Sequence, residues 1–269
     1  EQARPGAGSF VEWIGGQYLP VGSPDFAGFV GEGELALVQF EIDGATSVSR
    51  IRPSGREATT VFESDASRFD AFVRQDGDRI FLVESADGGS MRCYLSRGGE
   101  IAERVARADS CELSLDGSTM LVSDGDADGL TLTLSSYDGA DETILVEDIP
   151  GVRSFQLAPD GSRVAYVDTV GDDLVRLTVL GRDGGVLFES DNAYGILTYG
   201  FAPAGDGLFY IAEEEDGDLS LSTQRGQMTS APTLDAGFSP SGEALIYLEA
   251  GAEGDGAVFA YSLAEDREQ

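Results

Sequence analysis

The residues in this chain whose types and spacing suit them to chemistry are carboxylates. Asp124-Gly-Asp-Ala-Asp-Gly129 places three of them at alternate positions ahead of a glycine. Side chains alternating in such a turn converge on one hard cation, and the glycine permits the sharp bend. Asp124, Asp126 and Asp128 are therefore the candidate ligands of a Ca²⁺ ion. The ligands that complete such loops are missing, because the ninth position is Leu132 and the twelfth is Ser135. The same residues also read as an acidic turn between two strands. Cys93 and Cys111 are the only cysteines. They leave one pairing, a disulfide suited to an oxidising compartment, or else two buried thiols.

The missing residue types narrow the chemistry further. Among 269 residues there is no histidine, and all 17 basic side chains are arginine. Without histidine there is no Ser-His-Asp triad, no Cys-His dyad and no imidazole metal site. Without lysine there is no Schiff base and no P-loop. No Gly-x-Ser-x-Gly nucleophile turn occurs either. Against those 17 arginines stand 49 Asp and Glu, for a net charge of −32, which repels phosphate backbones and excludes a nucleic-acid partner. These absences predict a protein that is not an enzyme and holds no cofactor beyond the candidate Ca²⁺. The alternative is a Ca²⁺-dependent hydrolase of lactonase-like type, built on clustered carboxylates.

Hydrophobic residues make up 41% of the chain, which supplies a large core despite the charge. No apolar run approaches the ~20 residues that span a bilayer, so the segment does not insert directly. The opening Glu1-Gln-Ala-Arg-Pro-Gly-Ala-Gly8 reads as a processed tether. The expected location is periplasmic or extracellular, with any anchor in a removed upstream segment. A saline habitat would select the same acidity.

A motif recurs along the chain. Phe155-Gln-Leu-Ala-Pro-Asp-Gly-Ser-Arg-Val-Ala-Tyr166, Phe201-Ala-Pro-Ala-Gly-Asp-Gly-Leu-Phe-Tyr210 and Phe238-Ser-Pro-Ser-Gly-Glu-Ala-Leu-Ile-Tyr247 align, with weaker copies earlier. The aligned turn glycines are Gly33, Gly77, Gly117, Gly161, Gly205 and Gly242, spaced by 37 to 44 residues. In each copy an apolar strand ends, a glycine turn reverses the chain, and a strand of β-branched and aromatic residues follows. An acidic turn, a third strand, a second glycine turn and a fourth strand complete the period. Such a period predicts an all-β, six-bladed β-propeller of four-stranded antiparallel blades. Phe155, Tyr166, Phe201, Tyr210, Phe238 and Tyr247 recur in step and read as blade packing. Arg92, Arg104, Arg153 and Arg163 read as members of structural ion pairs.

The last repeat runs out near Leu263 after three strands, leaving a charged tail over 264–269. The expected donor of its fourth strand is Ser9-Phe-Val-Glu-Trp-Ile14, so residues 1–22 form a tether and ring-closing strand on a single domain with the propeller of 23–269. The turns between second and third strands are acidic. They include Asp172 and Asp173, then Glu213, Glu214, Glu215, Asp216 and Asp218, and the topology puts them on one rim. That rim is either a docking face for a cationic protein or membrane-bound complex, or a solubilising edge.

The Phe-x-x-Pro-Asp-Gly repeat, clearest at Phe155–Tyr166 and Phe238–Tyr247, resembles the WD-repeat-like propeller repeat of the TolB family, over roughly residues 24 to 263. It is also similar to the propellers that cap prolyl-oligopeptidase-type enzymes. The separate N-terminal α/β domain of TolB and the hydrolase domain of the peptidases are not in this sequence. The resemblance implies a non-catalytic, extracytoplasmic propeller that binds protein, as a scaffold or accessory subunit of an envelope-associated complex.

Overall fold

The structure is a computed structural model. It describes strands between Phe10 and Glu268, and side chains for Cys93 and residues 108–263 apart from 115–116, 126–128, 137–140, 172, 230 and 251–255. Every regular element among the described residues is a β-strand. The strands form six four-stranded antiparallel sheets and one hairpin, each sheet a simple meander of consecutive strands.

The chain divides into two compact units, Glu1–Cys111 and Glu112–Gln269. The first carries the hairpin and two sheets. The first sheet contains Pro24–Val30, Leu35–Ile42, Ala45–Ile51 and Ala58–Ser64. The second contains Phe69–Val73, Arg79–Ser85, Met91–Arg97 and Glu100–Ala108. Cys93, in the third strand of the second sheet, is disulfide-bonded to Cys111.

The third sheet opens with Ser110–Leu113 and continues through Thr119–Gly125, Leu130–Ser136 and Glu142–Ile149. The fourth contains Val152–Leu157, Arg163–Thr169, Val175–Gly181 and Val186–Glu189. The fifth contains Gly195–Phe201, Leu208–Glu213, Leu219–Thr223 and Gly226–Thr229. The sixth contains Thr233–Phe238, Ala244–Ala250, Gly256–Ser262 and Arg267–Glu268.

The repeat motif is visible as one turn built four times. The N–H groups of Gly117, Gly161, Gly205 and Gly242 donate to the carbonyls of Ser114, Ala158, Ala202 and Ser239, each at 2.8 Å. All four glycines have φ between 64° and 77°, the left-handed region that costs other residues ~1 kcal/mol or more. The turns also nest. A Cβ on Gly161 would lie 2.6 Å from Thr119 Cβ in the third sheet, and one on Gly205 would fall onto the Asp160 carboxylate of the fourth.

Side chains alternate across each strand, so each sheet has two faces to bury. Leu121, Leu132 and Leu134 of the third sheet pack with Leu157, Val164, Tyr166 and Leu180 of the fourth. The opposite face of the fourth, with Ala165, Val167, Leu177 and Val179, packs with Phe201 and Leu208 of the fifth. Phe209, Ile211 and Leu221 of the fifth then meet Leu245 and Tyr247 of the sixth. Leu121, Leu132, Leu177, Leu208, Ile211 and Leu221 are the largest fully buried side chains, each contributing about 2 kcal/mol of apolar burial. The recurrent aromatics do the packing expected of them, with Phe209 and Phe238 edge-on at 5.6 Å.

Two features differ from the sequence reading. Phe10–Ile14 pairs with Gln17–Val21 in a hairpin, with Trp13 opposite Tyr18, and completes no four-stranded sheet. The fourth place in the sixth sheet belongs to Arg267–Glu268, paired with Tyr261 and Ser262, so the tail supplies the strand that the N-terminus was expected to give. Local pairing across a short link orders far less chain than closure across the whole sequence, and that entropy favours both local solutions.

The second difference is a bulge. In the first, fourth, fifth and sixth sheets the pairing of first and second strands skips one residue at the same repeat position. The extra residues are Asp25, Arg153, Leu197 and Leu234.

The nested turns make a sharp comparison. Gly217 also has positive φ, 83°, but a Cβ there meets nothing within 4 Å. Gly217→Ala is expected to cost about 1 kcal/mol, and Gly161→Ala roughly 3 kcal/mol because a clash adds to the backbone cost. Urea unfolding of both variants measures this, and equal losses would contradict the nesting.

Candidate functional site

A meander returns the chain to the same end of a sheet after every second strand. In each sheet the connections from second to third strand therefore share an end with those leading to the next sheet, and the glycine turns occupy the other end. The acidic connectors lie at the first of these ends. In the fifth sheet Glu214, Glu215, Asp216 and Asp218 are exposed and Glu213 is half-buried. This connector is held internally: Glu214 N–H donates to Asp218 O at 2.9 Å and Gly217 N–H to Glu214 O at 3.0 Å. Ser220 Oγ donates to Glu214 Oε1 at 2.8 Å, and Asp218 N–H to Asp216 Oδ1 at 3.1 Å. The carboxylates border a shallow depression shared with Leu219, Ser220 and Gln227. In the fourth sheet Asp173 is exposed in the equivalent connector.

The calcium candidate is only partly in view. Asp124 is exposed near the end of Thr119–Gly125, while Asp126 and Asp128, like Asp172, lie outside the described residues. Leu132 is wholly buried in the core between third and fourth sheets, so the ninth position serves packing. Among the described residues no group of three or more Cys, Asp and Glu is arranged to hold a metal.

Two arginines at the acidic end were not part of the rim read from the turns. Arg153 Nε donates to Thr169 Oγ1 at 3.2 Å, and Arg176 Nη1 lies 3.1 Å from Glu189 Oε1. Asp168 sits directly across from Arg176. It is 8% exposed, its Oδ1 makes no hydrogen bond, and burial pushes its carboxyl up while Arg176 pulls it down. At the other end Arg163 Nη1 donates to Asp206 O at 3.0 Å and Arg182 Nη1 to Thr119 Oγ1 at 3.1 Å. Arg153 and Arg163 thus bond neutral oxygens, and among the described residues neither makes the ion pair expected of it. The side chains of Arg92 and Arg104 lie outside the described residues.

A polar set on the first strands was missed altogether. Glu112 Oε2 accepts the Leu157 N–H at 3.0 Å, tying the first strand of the third sheet to that of the fourth. Tyr199 OH donates to Ser154 Oγ at 3.1 Å, tying the fourth to the fifth. Burial raises the Glu112 carboxyl, opposed by the Leu157 bond, and pushes Tyr199 up to about 12. The available signal was an acidic residue at a first-strand position where the later repeats have Gln156, Gly200 and Gly237.

Comparison with protein-family models finds no match, and comparison with curated proteins finds none. Solved structures do resemble the chain. The β-propeller domain of the Trilobed protease from Pyrococcus furiosus is 13% identical with TM-score 0.50, covering 94% of this chain and 85% of that one. TolB from Acinetobacter baumannii is 15% identical with TM-score 0.44, covering 81% of this chain and 57% of that one. The acylaminoacyl peptidase of Pyrococcus horikoshii is 15% identical with TM-score 0.46, covering 94% and 46%. The chain thus spans less than two thirds of the latter two. The likeness to the propeller domain and the sheet topology make the fold a β-propeller of antiparallel four-stranded sheets.

Two measurements follow from the site. Glu112→Gln keeps an oxygen to accept the Leu157 N–H but removes the buried charge. A carboxyl raised above its ordinary 4.5 makes the parent lose stability as pH climbs from that value through the folded pKa, with no further loss above it. The variant is therefore expected to gain on the parent between pH 4.5 and neutrality, measured by urea midpoints, and a flat difference would show a solvated carboxylate. Because the loop's completing positions are Leu132 and Ser135, calorimetry at millimolar Ca²⁺ is expected to show no saturable heat and no rise in Tm.

Proposed function

We propose that this chain is a non-catalytic β-propeller of six four-stranded blades that binds another protein outside the cytoplasm, as a scaffold or accessory subunit of a larger envelope-associated complex. The observation that carries this reading is the exposed, unneutralised connector of the fifth sheet. Within it Glu214 Oε1 and Asp216 Oδ1 accept from Ser220 Oγ and the Asp218 N–H, Glu215 and Asp218 are exposed, and Arg153, Arg163, Arg176 and Arg182 each bond a partner outside the connector. On a chain of net charge −32 such an end attracts a cationic surface and repels a second copy of itself.

The missing histidine and lysine remove the usual nucleophile–base pairs, which supports a binding role over a catalytic one. The Cys93–Cys111 disulfide supports an oxidising compartment. Among the described residues no helix is long and apolar enough to cross a membrane.

Purification from the source with mild cross-linking tests the reading. The expected result is one stoichiometric protein partner, released as salt is raised from about 50 to 500 mM because the contact is charge-driven. A monomer that turns over a small molecule would replace this reading with an enzymatic one.

A further inference from the structure

The repeated bulge does something that packing does not require. Arg153, Leu197 and Leu234 occupy one repeat position on the first strands of the fourth, fifth and sixth sheets, and each is the extra residue that pairs with nothing across the ladder. A bulge breaks the alternation of faces and re-aims one side chain. Here it turns large side chains outward: Leu197 and Leu234 are each 52% exposed, and Arg153 is exposed. Tyr194, just before the bulge in the fifth sheet, is 44% exposed, and its N–H donates to Glu213 O at 2.9 Å.

These strands adjoin. Tyr199 OH reaches Ser154, next to Arg153, and the first strands of the fifth and sixth sheets lie side by side. Bulge residues come at the starts of first strands, the same end as the acidic connectors. The apolar row therefore shares an end with the acidic connector and meets it at Glu213, which accepts the Tyr194 N–H and, like Leu197, comes within 4 Å of where a Cβ on Gly195 would sit.

From this we infer that the bulge row is the apolar anchor of a docking surface whose partner is a basic segment with one apolar face. The inference rests on the protein-binding reading and gives that site its anchor and its partner chemistry. Arginine or lysine on the segment would face Glu214, Glu215, Asp216 and Asp218, while its apolar side chains cover Leu197 and Leu234. Charge decides against the alternative occupants. A second copy brings another net charge of −32, and an uncharged apolar segment leaves the carboxylates unmatched.

The test uses a labelled amphipathic peptide of leucine, lysine and arginine, and its scrambled isomer of equal composition, read by fluorescence anisotropy. The amphipathic peptide is expected to bind roughly tenfold tighter than the isomer, and the Leu197→Ser/Leu234→Ser double variant to lose about that tenfold. Leu187→Ser, at an exposed residue of the fourth sheet's outermost strand, serves as control and should change nothing. Leu197→Met/Leu234→Met keeps an apolar anchor and should bind like the parent, and unchanged thermal melting shows that the variants fold. Equal binding of both peptides, or full binding by the Ser double variant, overturns the inference. Applied to the native complex, the Ser variant separates the two claims. A complex that survives it removes this surface but leaves the scaffold reading, whereas no complex with the parent removes that reading itself.

Discussion

A four-stranded sheet has two faces, and in the fourth sheet both are apolar. Leu157, Val164, Tyr166 and Leu180 lie on one side, and Ala165, Val167, Leu177 and Val179 on the other. Such a sheet is not stable alone, because whichever face is covered the other stays in water. The fifth sheet repeats the arrangement with Phe201 and Leu208 against Phe209, Ile211 and Leu221. Sheet-on-sheet burial is thus the interaction that fixes the first strands side by side. The nested glycine turns follow from it, since sheets stacked this closely bring Gly161 against Thr119 and Gly205 against Asp160.

The same constraint decides where charge can go. With both faces of a sheet buried, carboxylates are confined to the ends and to the outermost strand. Asp168 shows the cost of encroaching: one position inside the acidic end it is 8% exposed, its carboxyl is raised by burial, and Arg176 opposes the shift from across the ladder. Glu112 escapes the penalty in part by accepting a backbone N–H that no strand pairs. Elsewhere the acidic residues keep to water, on connectors such as Glu214 to Asp218 and on the outer strand at Glu142 and Glu147.

This division also explains which features could be read from the chain. Turn glycines were legible because left-handed φ leaves few other choices, and Gly117, Gly161, Gly205 and Gly242 adopt it. Tyr166, Tyr210 and Tyr247 were legible because recurrence in step with those turns marks a shared packing role. The hairpin Phe10–Ile14 with Gln17–Val21 was not, since an apolar strand does not declare its partner. Nor was Arg267–Glu268, too short and too charged to resemble a strand. The bond between Glu112 and Leu157 joins residues 45 positions apart, so the acidic residue was visible in its strand but its partner was not.

The bulge was the least legible feature, and the reason bears on function. A bulge in an edge strand is a matter of register, and its extra residue contacts neither face of the core, so packing places no demand on its type. Asp25, Arg153, Leu197 and Leu234 accordingly range from charged to apolar although they share a position. Where packing is indifferent, two of the four equivalent positions are exposed leucines on the adjoining first strands of the fifth and sixth sheets, and such a pairing, unlike a singly exposed apolar residue, asks for a cause. The docking surface inferred above would supply one. The repeat builds the position into successive sheets, and its side chains can then vary with the partner while the core beneath them stays the same.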